Sequence, residues 1–133
     1  MIVTYTPEGE ESQSWEFKTG RVKASEAEVL QKRFGGTWDE FAVGVFKGDV
    51  RARRVMLWHL LRLTHHTLRF EDAPEFYMDE LKVEHTKEEL GVMRSNIEKM
   101  SALPAEDREE ILAALDIEIA DAPEGLGKAP SKN

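Results

Sequence analysis

The stretch GDVRARRVMLWHLLRLTHHTLRF, Gly48 to Phe70, decides how this chain is read. Residues 49–70 hold five arginines and one acid, a net +4, in a chain of net charge −8. Asp49 can cap a helix over roughly 50 to 66. At about 100° per residue, Val50, Met56, Leu57, Leu60, Leu61 and Leu63 share one broad arc, which is a core face. The opposite arc gathers Arg51, Arg54, Val55, Trp58, His59, Arg62, His65 and His66. The helix therefore has a basic second face with one large aromatic at its centre.

Three uses of that face compete. Arginines beside an aromatic suit phosphates and a stacked base, but the acid-rich flanks repel a nucleic-acid backbone and no recognition motif accompanies them. His59, His65 and His66 offer imidazoles, yet adjacent His65 and His66 point about 100° apart on a helix, away from a common ion. The third use is packing and protein contact, since Trp and Arg are the residues most enriched where interfaces carry energy and a guanidinium stacks on an indole. In one version Trp58 is covered by neighbouring segments and the arginines pair with Glu71, Asp72 or Glu75. In the other, Arg51, Arg54, Trp58 and Arg62 meet a partner. One half of the face can be covered while the other is used.

Outward from this helix the chain is orderly. MIVTYT and SQSWEFK flank the turn-rich PEGEE and predict a β-hairpin, with Ile2, Val3, Tyr5, Trp15 and Phe17 available for packing. An isolated two-stranded hairpin is marginal in water, so it is expected to lie on helices. Capping boxes at Ser25/Glu28 and Thr37/Glu40 open two helices before Asp49, closed by Gly35–Gly36 and Gly48. Trp15, Trp38, Phe41 and Phe46 are expected in the core. Pro74 breaks regularity in LRFEDAPEFYMDEL, an irregular wrap whose Leu68, Phe70, Phe76, Tyr77 and Leu81 can cover the helices. A third box, Thr86/Glu89, opens a helix with Leu90, Met93, Ile97 and Met100 on a narrow stripe. That stripe packs on the next helix, which Pro104 starts, or on a second copy or partner helix. The expected organisation is a core over 1–81, a helix pair over 82–120 and a disordered tail over 121–133. The fold class is α+β, mainly α.

Composition narrows the function. The chain has 133 residues, no cysteine and no apolar run near the length of a membrane span. Its start lacks the basic and apolar regions of a signal peptide. Residues 71–133 carry 17 acids and 7 bases, a net −10 beside the basic middle. Neighbouring carboxylates such as Asp39/Glu40 and Glu71/Asp72 rarely converge on one substrate. No phosphate loop or catalytic triad spacing is present. No enzyme activity, cofactor, metal, nucleic acid or membrane is expected.

The strings EAEVLQKRFGGTWDEFAVGVFKGDVRARRVMLWHLLR and TLRFEDAPEFYMDEL resemble the tail assembly chaperones of long-tailed phages, especially those of actinobacteria. Gly36, Thr37, Trp38, Glu40, Phe41, Gly48, Asp49, Ala52, Trp58, Arg62 and Leu68–Asp72 carry the likeness, over roughly residues 1–81. THH stands where relatives often have a proline, and the likeness does not anchor the helices from 86 to 120. The resemblance implies a non-enzymatic helper in the host cytoplasm. Such a helper binds the tape measure protein and is left out of the mature virion. It also implies a longer form, made by a −1 ribosomal frameshift, that reaches the tail tube protein. Gly127–Lys128 is a dipeptide compatible with a slippery heptamer. Self-association is a further partner expectation. A virion tail-completion or connector protein and a small DNA-binding regulator are the alternatives.

Overall fold

The arginine-rich stretch supplies the third of three helices joined by short glycine-ended turns. A computed structural model describes residues 1–125. Helices α1 (Ala24–Phe34), α2 (Trp38–Lys47) and α3 (Val50–Leu61) follow one another with almost no linker. Gly35 and Gly48 make this possible, at φ 87° and 93°. Each donates its N–H back into the helix it ends, to Gln31 and Gly44 carbonyls. Only glycine adopts this left-handed backbone without cost. Thr37 and Glu40 form the expected capping box, and the Asp49 carboxylate accepts from the Ala52 N–H at 2.9 Å. The Ser25/Glu28 box does not form. Helix α1 begins at Ala24 with Lys23 as its N-cap, so Ser25 already lies inside the first turn. Helix α3 also ends sooner than expected, at Leu61. A turn over 62–64 then reverses the chain and brings Leu68 back to Trp58.

Helix α3 lies at the centre of the fold, with α1 and α2 packed against it. Ala52, Val55, Met56, Leu57, Trp58, Leu60 and Leu61 are all buried. A two-faced wheel fails here. Val55 and Trp58 belong to the core, whereas Val50 and Leu63, placed on the core arc, are exposed. A helix covered by several neighbours has no single inner arc. Phe41, Leu30, Val45 and Val3 complete the most deeply buried set.

The hairpin strands β1 (Ile2–Tyr5) and β2 (Gln13–Glu16) pair as expected, with Val3 opposite Trp15. A third strand, β3 (Leu81–Glu84), adds to the other side of β1, with Val83 opposite Val3 and Leu81 opposite Tyr5. The order β2-β1-β3 makes β1 the central strand, and three strands supply the pairing a lone hairpin lacks. The wrap before β3 holds two short 3₁₀ turns, Phe70–Asp72 and Met78–Glu80. Leu68, Phe70 and Phe76 pack on the core and Leu81 is buried, but Tyr77 points to solvent.

The chain ends in an antiparallel pair, α4 (Lys87–Glu98) and α5 (Ala105–Asp121). The Thr86/Glu89 box opens α4, and Pro104 precedes α5. Leu90 and Leu115 are buried, and Arg94 bonds Asp116 at 2.6 Å and Glu98 at 2.7 Å. The Lys87 N–H donates to the Pro123 carbonyl at 3.0 Å, tying the end of the pair to its start. Of the tail expected over 121–133, Asp121 closes α5 and residues 122–125 have no regular structure. The remainder, with Gly127–Lys128, lies outside the described residues. The protein is thus α+β and mainly helical.

Candidate partner-binding surfaces

Trp58 is enclosed. Its indole N–H donates to the Leu68 carbonyl at 3.0 Å, and its ring meets Phe70 edge-on at 5.5 Å. The Arg62 guanidinium lies over the indole at 4.3 Å. Arg33, from α1, sits 4.9 Å from the Phe70 ring and pairs with Glu71 at 3.3 Å, while Arg54 covers Phe70 at 5.1 Å. The wrap covers the helix face, and arginines seal the wrap from outside.

The other cations of α3 are mostly committed as well. Arg51 donates to the Phe34 carbonyl at the end of α1 (3.1 Å). Arg53 bonds the carbonyls of Val45, Phe46 and Leu81, so one guanidinium joins the end of α2 to the start of β3. Burial pushes its pKa down from the ordinary arginine value. Arg62 and His59 share Glu26, each at 3.1 Å. His65 and His66 are exposed, and among the described residues no group of three His, Asp or Glu is placed to hold a metal ion.

The eight candidate partner residues are not gathered into one site. Arg51, Arg54, Trp58 and Arg62 lie on or near the covered face of α3. Of the α4 stripe, Leu90 is buried, Ile97 is half-buried, and Met93 and Met100 are exposed. Of the eight, Met93 alone lines an open apolar cleft beside α4. This cleft, about 640 Å³, runs between α2 and α4 and is walled by Ala42, Val43, Phe46, Val92 and Met93. Val43 is 53% exposed, Phe46 41%, Val92 57% and Met93 40%. Apolar side chains on two neighbouring helices thus face water together, which marks an interaction surface. Phe46, expected in the core, belongs to this wall. The signal was the run FAVGVF in α2, apolar on both sides of the helix, with Phe41 and Val45 inward and Val43 and Phe46 outward.

A polar latch fixes α4 beside α2. His85 stacks on Phe46 at 3.9 Å. Glu89 accepts from the Met1 amino group at 2.5 Å and from the Thr86 N–H at 2.9 Å, with His85 Nδ1 3.6 Å away. Burial works against the Glu89 charge, but His85, the Met1 amino group and the Thr86 N–H outweigh it and hold its pKa at about 2. A depressed carboxylate stabilises the fold above its ordinary value of 4.5, and that contribution is lost as pH falls toward about 2. Glu89→Gln keeps the cap acceptor and removes the charge. Acid unfolding followed by circular dichroism should be shallower for this variant than for wild type across that window. Superimposable acid limbs would show that the latch does not stabilise the charge.

Compared with known proteins, the chain matches no family model, no curated protein and no solved structure.

Proposed function

We propose that this protein holds another polypeptide in its α2–α4 cleft, as a phage tail assembly chaperone holds the tape measure protein. The observation that carries this reading is the apolar cleft walled by Val43, Phe46, Val92 and Met93. A tape measure is a long helical rod with apolar faces that aggregates unless covered. An amphipathic helix laid into an open apolar groove is a recurrent recognition mode. Methionine and valine walls adapt to varied side chains along such a rod. The net charge of −8 keeps a crowded assembly soluble. Of the polar groups that line the cleft, Glu89 and His85 are engaged in the latch and hold the groove in place.

Co-expression tests the reading. The tape measure protein should remain soluble and co-purify when this chain is present, and precipitate when it is absent. Mass spectrometry of finished particles should find no copies of this chain. Its retention in virions would replace the chaperone with a structural tail component.

A further inference from the structure

A second cleft, about 690 Å³, lies between the segment after β2 and the C-terminal half of α3. Its floor includes Phe17, Val22, Leu60 and Leu63, and Leu63 is exposed. Lys18, Arg21, Lys23, Arg62 and His66 stand around it. Its two acids are engaged, Glu26 with Arg62 and His59, and Glu16 with Lys18. Arg21 and Lys23 have no ion-pair partner among the described residues, so the cleft carries surplus positive charge over an apolar base.

Helix α5 presents the opposite surface. It has seven carboxylates and one arginine. Only Asp116 of the seven is paired among the described residues, with Arg94. The helix packs on α4, and along its inner side Leu115 is buried and Leu112 and Ile119 are half-buried. Its outer stripe runs Glu106, Glu110, Ala113, Ile117 and Asp121, all exposed, with Ile117 at 69%. An isoleucine at the centre of an acid-ended ridge is left in water. The sign and polarity of this ridge complement those of the basic cleft.

We infer that copies of this protein associate head to tail, the α5 ridge of one seating in the basic cleft of the next. Ile117 and its alanine neighbours meet the apolar floor, and the ridge carboxylates face Arg21 and Lys23. The two surfaces differ, so the contact is heterologous and leaves a free cleft and a free ridge at the ends of any open assembly. It repeats along a line or closes into a ring. The two clefts share Glu16 and Lys18 at their border, but Arg21, Lys23 and Ile117 do not line the α2–α4 cleft, so variants at these three positions test this inference separately from what that cleft holds.

Sedimentation velocity on the full chain tests it. Wild type should form concentration-dependent assemblies that dissociate as salt rises from about 0.05 M to about 0.5 M, because the exposed charges are screened. Arg21→Glu/Lys23→Glu disables the cleft, and Ile117→Asp disables the ridge. All three side chains are exposed, and a glutamate at position 23 suits the start of α1. Each variant alone should weaken self-association by about tenfold or more. Mixed, they should form a dimer of one copy each and grow no further, because one cleft and one ridge remain intact. If Ile117→Asp lowers the melting temperature, Glu110→Gln/Asp121→Asn replaces it as the ridge variant. A wild type that is monomeric at about 1 mM, where a millimolar contact is half occupied, overturns the inference. So do a variant that assembles like wild type and a mixture that stays monomeric. Loss of RNA or DNA capture on cleft reversal in a wild type that never self-associates would assign the cleft to nucleic acid and overturn it too.

Discussion

Trp58→Ala is expected to destabilise the protein by about 3–5 kcal/mol, the usual cost of emptying a large aromatic site in a core. Trp58 is 6% exposed and is covered by Phe70, Leu68 and the guanidinium of Arg62. Removing the indole leaves a cavity between α3 and the wrap, an unpaired Leu68 carbonyl, and Arg62 with nothing to stack on. Total stabilities of domains this size are about 5–15 kcal/mol, so the loss is a large share of the whole. In a melting experiment it should appear as a fall of about 10–20 °C. Trp58→Phe keeps most of the packing and loses the N–H donor, at about 1–2 kcal/mol. Arg62→Ala should cost about 1 kcal/mol or less, because a partly exposed ion pair and a cation–π contact are each weak. If Trp58→Ala instead melts like wild type and loses only partner binding, Trp58 is a docking anchor and the wrap is not its cover.

The second large effect is on binding. Val43→Asp with Met93→Asp puts a carboxylate on each wall of the α2–α4 cleft. Both side chains face water in the free protein, so the fold should change by no more than about 0.5 kcal/mol per site. In the complex each charge would be buried against an apolar helix without a partner. The expected result is a loss of tape measure affinity of about 100-fold or more, measured by titration against a soluble segment of that protein. Arg54→Asp, on the sealed side of the molecule, should leave affinity within about threefold. Equal losses for both variants would indicate that net charge, and not the cleft, governs binding.

Local chemistry was the legible part of this fold. Thr37, Asp49 and Thr86 cap their helices because a hydroxyl or carboxylate three residues before a backbone N–H needs no distant partner. Gly35 and Gly48 end helices for an equally local reason. Strand β3 is not legible in LKVE, although it alternates apolar and polar, because four residues after a proline-containing wrap do not announce a partner at the other end of the core, in β1. The start of α1 lies two residues before the Ser25 cap, with Lys23 as N-cap, since helix starts slide easily when several side chains can serve. Val55 and Trp58 depart from the wheel because a wheel assumes one neighbour, and α3 has more. The α2–α4 cleft was beyond reach for the same reason. Val43 and Met93 share a groove only once the latch of Glu89, His85 and Phe46 sets one helix beside the other. The basic cleft likewise unites Arg21 and Lys23 with Arg62 across the sheet-to-helix connection.

The most direct test is photocrosslinking in cells that make both chains, with a photoreactive side chain at position 43. A covalent adduct with the tape measure protein from that position, and none from position 54, is the expected result. An adduct from position 54 but not from 43 would contradict it, and so would capture from 43 of only a second copy of this chain.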